Sequence, residues 1–386
     1  MPSARPLLWA MACLSVVTLL PAQSFDDLML VRNRKNEGED LLQVRAGVGF
    51  GRPAGSEDKA IGLESVTAPH GHVYYRHRGF TAQRAVLLAY AGFDGVYVTA
   101  KDDPALGSDS QSRLELFGRF FPYFREGFYR NGDFVPTGRY EGRNWGAALA
   151  TSRIVDKEFR IEIGGFYRRY SFARNGTTDA TYTIPDDFNA YGARVILEHQ
   201  TLAVDRETGR PNAGFLFAVA IEREQNDSDA RFGTAGLWES ELPSGLFRGR
   251  GHLEWYFPHT ESSTFAIMVD GSLSDENDRV YNYEASKPVG NMWFDGQLRW
   301  RILLGRSVSI TPFLAGQYVR VLRETGSGAD TKAFFGGGLD ARFDAGDAFS
   351  LFLNYSYLNN ESRPTVSPSR DTLGEHQLFA GVEIRF

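Results

Sequence analysis

A strict two-residue alternation at the C-terminus constrains the fold more than any other feature. Between His376 and Phe386, Leu378, Ala380, Val382, Ile384 and Phe386 share one parity. Gln377, Gly381, Glu383 and Arg385 share the other, with Phe379 the single exception. Successive strand side chains point to opposite faces, so this segment has one apolar and one polar side. Leu42, Val44, Ala46, Val48 and Phe50 likewise alternate with Gln43, Arg45, Gly47 and Gly49. Phe159, Ile161 and Ile163 alternate with Glu158, Arg160 and Glu162. Met292, Phe294, Leu298, Trp300 and Ile302 alternate with Asp295, Gln297, Arg299 and Arg301. Less regular runs begin near Ser112, Asn144, Asn189, Ala213, Leu246, Ser263, Ser307, Lys332 and Ala348. A helix would space its apolar residues three and four apart. The pattern predicts an all-β protein: an antiparallel, up-and-down transmembrane β-barrel, apolar against lipid and hydrated within.

The connections carry independent information. Long polar links at Asn359–Gly374, Arg323–Thr331, Ser274–Lys287, Gln225–Ser244, Ala173–Asp187 and Arg125–Arg143 alternate with short ones. The short links are Asp344–Asp347, Leu304–Arg306, Pro258–Glu261, Asp205–Pro211 and Val155–Lys157. Outer-membrane barrels have short periplasmic turns and longer external loops, whereas a soluble sandwich has no reason to gather its long loops at one end. From Ser112 onward the scheme gives about twelve strands, the first running outward. Leu42–Phe50, Gly71–Phe80, Arg84–Ala91 and Gly95–Lys101 bring the count to about sixteen, or about fourteen if Arg84–Lys101 is one long strand.

Residues 1–24 read as a cleaved signal peptide: Arg5, then an uncharged run from Leu7 to Leu20, then Ala22-Gln23-Ser24. That run is roughly two-thirds the length of a spanning helix. Residues 25–40 lack alternation and read as a periplasmic lead-in or short plug, leaving 41–386 for the barrel. The only cysteine, Cys13, lies in the signal, so the mature chain has no thiol chemistry. The 29 phenylalanines and 17 tyrosines suit aromatic belts at two lipid interfaces. A net charge of −6, with no concentrated basic field, argues against nucleic acid as a partner.

The final segment resembles the terminal strand that the barrel-assembly machinery of Gram-negative bacteria recognises. Gly381, Ile384 and Phe386 fit that pattern, and Phe379 departs from it. The resemblance implies an outer-membrane β-barrel that meets this machinery through those residues. The closing hairpin, with Asn354, Tyr355, Tyr357 and a polar link before Glu375, also resembles porins and exopolysaccharide-export barrels.

Charges on the lipid face would cost about 2–4 kcal/mol each near the midplane, so the charged parity belongs in the lumen. There it collects Arg45, Arg160, Arg194, Arg248, Arg250, Arg299, Arg301, Arg342 and Arg385. It also collects Glu158, Glu162, Glu198, Glu254, Asp295, Asp340 and Glu383. Such rows either form a transverse field that selects solutes by charge or pair off and fill the cylinder. Arg299 and Arg301 beside Asp295, with Arg248, Arg250 and Glu254, are the candidates for a selectivity contact. Phe117, Phe121 and Phe379 have inward parity and suit a sugar path, although most aromatics here fit the interfacial belts. His70 and His72 lack a third ligand at a suggestive spacing, and Asp275 to Asp278 lack the EF-hand pattern, so no metal or cofactor is expected. His252 shares a face with Glu254, Arg248 and Arg250, which reads as a salt-bridge lattice more readily than as an acid–base centre. The expected function is an outer-membrane channel or export conduit; an enzyme acting on lipid or surface polymer and a closed scaffold are the alternatives. A homo-oligomer stays open, because no polar patch of one parity decides it.

Overall fold

Each alternating segment becomes one long strand. The structure, a computed structural model, describes residues 40–386 except 54–65, 80–84, 93–94, 103–109, 120–127, 131–132, 136–140, 157, 175–177, 179, 205–209, 229–230, 235–237, 242, 276–277, 279–290, 323–328, 347 and 359–374. The expected signal and lead-in therefore fall outside the described residues, save Asp40. The first strands are β1 (Asp40–Pro53), β2 (Val66–Gly79), β3 (Ala85–Gly92), β4 (Val96–Asp102) and β5 (Ser110–Arg119). Then come β6 (Glu141–Ile154), β7 (Phe159–Ala173), β8 (Phe188–Gln200), β9 (Pro211–Asn226), β10 (Gly245–Thr260) and β11 (Ser263–Ser274). The series ends with β12 (Met292–Leu304), β13 (Val308–Leu322), β14 (Ala329–Asp344), β15 (Phe349–Leu358) and β16 (Glu375–Arg385).

Every strand pairs antiparallel with its sequence neighbours, and β16 returns to pair with β1, so sixteen strands close into a barrel. At the seam Leu42 and Phe386 exchange backbone hydrogen bonds of 3.0 and 2.9 Å. Closure leaves no open edge, the condition for a sheet in hydrocarbon. The count is sixteen rather than fourteen because a turn separates β3 from β4, with the Gly92 amide donating to Gly95 O at 2.9 Å. No helix occurs among the described residues.

Both ends of the strand series lie at one end of the barrel, here the turn end, with the short connections. Two of these turns pass through Gly305 and Gly346, at φ of 78° and 79°, where a side chain would be strained. The opposite, loop end carries the longest connections, although the links after β3 and after β13 are short. Small strand pairs decorate the loop-end connections: Phe128–Arg130 with Asp133–Val135, and Arg231–Thr234 between Tyr182–Thr183 and Trp238–Glu241.

The barrel is inverted relative to a water-soluble protein. Leu149, Leu314 and Phe335 are 68%, 66% and 65% exposed on the outer parity, whereas Glu115 and Glu254 are 0% exposed on the inner one. The outer aromatics gather toward the two rims. Trp255, Phe257, Phe265 and Trp300 lie toward the turn end, with Phe265 stacked on its register partner Trp300 at 5.5 Å. Trp145, Tyr191, Phe294, Tyr318 and Tyr355 lie toward the loop end. Aliphatic residues such as Leu149, Ile163, Val195, Leu298 and Leu314 occupy the band between. An apolar band between two aromatic girdles is what a bilayer demands of a barrel exterior.

The inward parity is not uniformly polar. Tyr74, Tyr90, Tyr97, Phe117, Ala148 and Phe166 form one interior cluster. Ile196, Leu202, Leu216, Ala218 and Ala220 form a second, and Tyr170, Phe188, Ala190 and Leu246 a third. All three sit along the arc from β2 to β10. That half of the lumen is packed, much as a smaller barrel's would be.

Candidate functional site: a lumen with two unlike walls

On the packed arc the inward charges join a continuous network. The Glu115 carboxylate accepts from Arg194 Nη2 at 2.9 Å and from the Tyr97 hydroxyl at 3.3 Å, and Arg113 Nε lies 3.3 Å from it. Arg113 also pairs with Glu162, and Arg194 lies 3.9 Å from Glu162 and 3.8 Å from Glu222. Arg168 donates to both oxygens of Glu222, at 3.0 and 2.9 Å, and to Glu224 at 3.1 Å. Glu224 accepts further bonds from Tyr170 at 3.1 Å and Arg248 at 2.7 Å, and Arg248 Nε donates to Asp278 at 2.6 Å. Nearer the turn end, Arg160 donates to Glu198 at 2.9 Å. His252 places one ring nitrogen 2.7 Å from Asp270 and the other 2.8 Å from Glu254, which also accepts from the Tyr256 hydroxyl at 2.8 Å. Buried charges persist only when so paired.

The opposite wall, from β12 through β16 to β1, has a different character. Arg299 pairs with Asp340, donates to Gln297 at 2.8 Å and stands 5.1 Å over the Phe313 ring. Arg301 donates to Thr264 Oγ1 at 3.2 Å. Arg342 donates to Asp344, Ser350 and Glu383, each at 2.7 Å, and Arg385 donates to Glu383 at 2.9 Å. Exposure separates most of the two walls. From Arg113 through Glu115, Glu162, Arg168, Arg194, Glu222, Glu224 and Arg248 to Asp278 no side chain exceeds 10%, although Asp270 stands at 26%; on the second wall Arg342, Asp344 and Arg385 stand at 22%, 24% and 36% around a buried Glu383. The second wall's charges other than Glu383 therefore reach water.

The six sequence candidates all project inward but divide between these walls. Arg248 and Glu254 are buried in the packed arc. Arg250 lies beside them, in register with Ala220 and Ser272. Arg299 and Arg301 stand on the hydrated wall, and Asp295 is in register with Asp270 and Gln317. Asp278 is bound to Arg248, and Asp275 accepts the Phe247 amide at 2.7 Å, so two carboxylates of the acidic loop serve to tie it down. His72 is buried on the inner face, 5.5 Å from the Tyr90 ring. Phe121 lies outside the described residues.

Two features escape the sequence. Inward phenylalanines lie across glycines on the next strand: Phe117 over Gly146, Phe166 over Gly192, Phe313 over Gly338 and Phe352 over Gly381. A Cβ at Gly146 would stand 2.7 Å from Phe117 Cζ, and one at Gly381 would stand 2.6 Å from Phe352 Cζ. Rings over glycines fill the space left by the missing side chain and hold the register. Phe379, the exception in the terminal strand, stacks on Phe352 at 5.1 Å, and Arg45 sits above both rings. The second feature lies at the described ends of the connection between β8 and β9. Leu202 joins an interior cluster, and Arg210 crosses to donate to Ser309 Oγ at 2.6 Å and Asp344 at 2.7 Å. No alternation marks Arg210, because a turn residue's reach depends on how the turn bends.

Comparison with solved structures places this barrel among known ones. BamA from Haemophilus ducreyi lacking POTRA domains 1–3 superposes with a TM-score of 0.53 at 11% identity, over 89% of this chain and 70% of that one. CdiB from Acinetobacter baumannii gives 0.51 at 10% identity, over 89% of this chain; the match spans only 60% of CdiB's own length. No family model matches the chain, and no curated protein matches it by sequence. The likeness is one of fold, a closed antiparallel β-barrel.

Proposed function

We propose that this chain is an outer-membrane channel or export conduit whose solute path runs along the β12–β1 wall. The observation that carries the reading is the asymmetry of the lumen: one arc is filled by apolar clusters and buried ion pairs, whereas the other, toward its turn end, presents partly exposed arginines and carboxylates to water. A barrel of sixteen strands leaves room for an aqueous path beside a filled arc. Arg299 and Arg301, with Asp340 and Asp295 nearby in the register, then bias passage by charge. The girdled exterior supports residence in the outer membrane after removal of residues 1–24. Gly381, Ile384 and Phe386 then serve as the contact for the barrel-assembly machinery. Gly381 also has a structural reason to be glycine, so deletion of Phe386 is the cleaner test, read as loss of membrane insertion in cells.

Planar-bilayer recording of the refolded chain tests the channel. Discrete conductance steps are expected, and Arg299→Glu with Arg301→Glu should move the reversal potential in a salt gradient toward cation preference. Unchanged reversal potentials would remove the selectivity assignment. The packed arc favours one second reading, a surface scaffold with a closed lumen, and a correctly folded barrel with no conductance would select it.

A further inference from the structure

At the turn end of the hydrated wall, arginine and carboxylate alternate in one string: Arg210, Asp344, Arg342, Glu383, Arg385. Its links measure 2.7, 2.7, 2.7 and 2.9 Å. Three guanidinium groups thus share two carboxylates. Arg45, the register partner of Glu383, adds a fourth, held 4.1 Å above the Phe352 ring. Among the described residues the group holds four positive charges against two negative ones. Arg45 Nε is buried with no hydrogen-bond partner there. Arg210 belongs to no barrel strand, yet it donates to Asp344, which Arg342 already binds. Burial first, and then the nearby positive charge of Arg342, bring its pKa down to about 10, with Arg301 and Arg385 acting in the same direction.

Gathering like charges in one place is unfavourable unless something negative offsets them. The planar forks of arginine match oxyanions geometrically as well as by charge, often through two parallel hydrogen bonds. We propose that this cluster binds a compact oxyanion of two or more charges, of the phosphate or pyrophosphate class, reaching it from the lumen. Because the strand-borne side chains all lie on the inner parity, the phosphoryl group belongs to a solute and not to a lipid. Asp344 and Glu383 hold the guanidinium groups in place, and the anion takes the donors they leave facing the lumen. The inference deepens the channel reading and rests on it for solute access to the lumen.

Calorimetric titration of the refolded full chain with inorganic pyrophosphate, in zwitterionic detergent, tests the site. Saturable binding is expected, weakened by about tenfold or more in Arg210→Gln/Arg385→Gln and by less in Arg385→Lys, which keeps the charge but loses the planar fork. Circular dichroism and heat-shifted gel migration check that each variant is a closed barrel. Absence of saturable heat, or equal affinity in the double variant, overturns the proposal. In bilayers, pyrophosphate should block current through the wild-type barrel but not through the double variant. Binding without any conductance would sink the channel reading and leave this site standing. Conductance that pyrophosphate neither blocks nor accompanies with binding would do the reverse.

Discussion

Replacing Arg168 by alanine should cost stability and leave permeation untouched. Arg168 is 2% exposed, donates three hydrogen bonds to Glu222 and Glu224, and lies 4.2 Å over the Phe166 ring. Its removal leaves Glu222 facing Arg194 at 3.8 Å, while Glu224 keeps Arg248 and Tyr170. The network then holds three arginines, Arg113, Arg194 and Arg248, against five carboxylates. Breaking a buried pair from one side costs about 3–5 kcal/mol, and the lost ring contact adds up to about 1 kcal/mol. A surface pair would cost under about 1 kcal/mol, so the two cases are separable. Adding Glu222→Gln removes the charge left without its main partner and should return about 1–3 kcal/mol. The assay is urea-driven unfolding from lipid vesicles, followed by tryptophan fluorescence, with conductance measured in parallel. A loss under about 1 kcal/mol, or a shifted reversal potential in Arg168→Ala, would refute the division of the lumen into a structural and a hydrated wall.

Further outcomes follow from other residues. Gly381→Ala should destabilise the closing hairpin by about 1–3 kcal/mol, because the new Cβ meets the Ala46 carbonyl oxygen and the Phe352 ring, and Phe352→Ala in the same chain should relieve only the ring's part of that loss in the same unfolding assay. At the turn between β6 and β7, Asp156 Oδ1 accepts the Glu158 and Phe159 amides at 2.8 Å each, which holds its pKa below the ordinary carboxylate value. A depressed carboxylate stabilises above its unfolded pKa and loses that contribution as pH falls through its folded value, so the protection of the Glu158 and Phe159 amides, relative to their intrinsic exchange at each pH, should fall in acid below the usual carboxylate range. Asp156→Ala should remove that protection at every pH. In the loop between β9 and β10, Asp227 accepts the backbone and side-chain amides of Asn189 at 2.7 and 3.0 Å, and its pKa is lowered in the same sense. Asn189→Ala should return the Asp227 carboxyl titration, read by carbon NMR, toward the ordinary value.

The alternation of Leu378 to Phe386, of Phe159 to Ile163 and of Met292 to Ile302 determined the architecture before any coordinate. A period of two is a local property of the chain, and it assigns each residue to the outer or inner face without reference to its neighbours. The spacing of polar links gave the strand count and the two unlike ends in the same local way. Only the tertiary structure decided how the inner face is used. Whether Arg248 meets Glu224 and Asp278, or Arg342 meets Glu383, depends on register between strands, which the alternation leaves free in steps of two residues. Which phenylalanine covers which glycine depends on it too. The reach of Arg210 to Asp344, 134 residues away, depends on closure of the cylinder bringing two distant strand ends together. Parity is written residue by residue, whereas the division of one lumen into a packed and a hydrated wall exists only once the sheet has curled and closed.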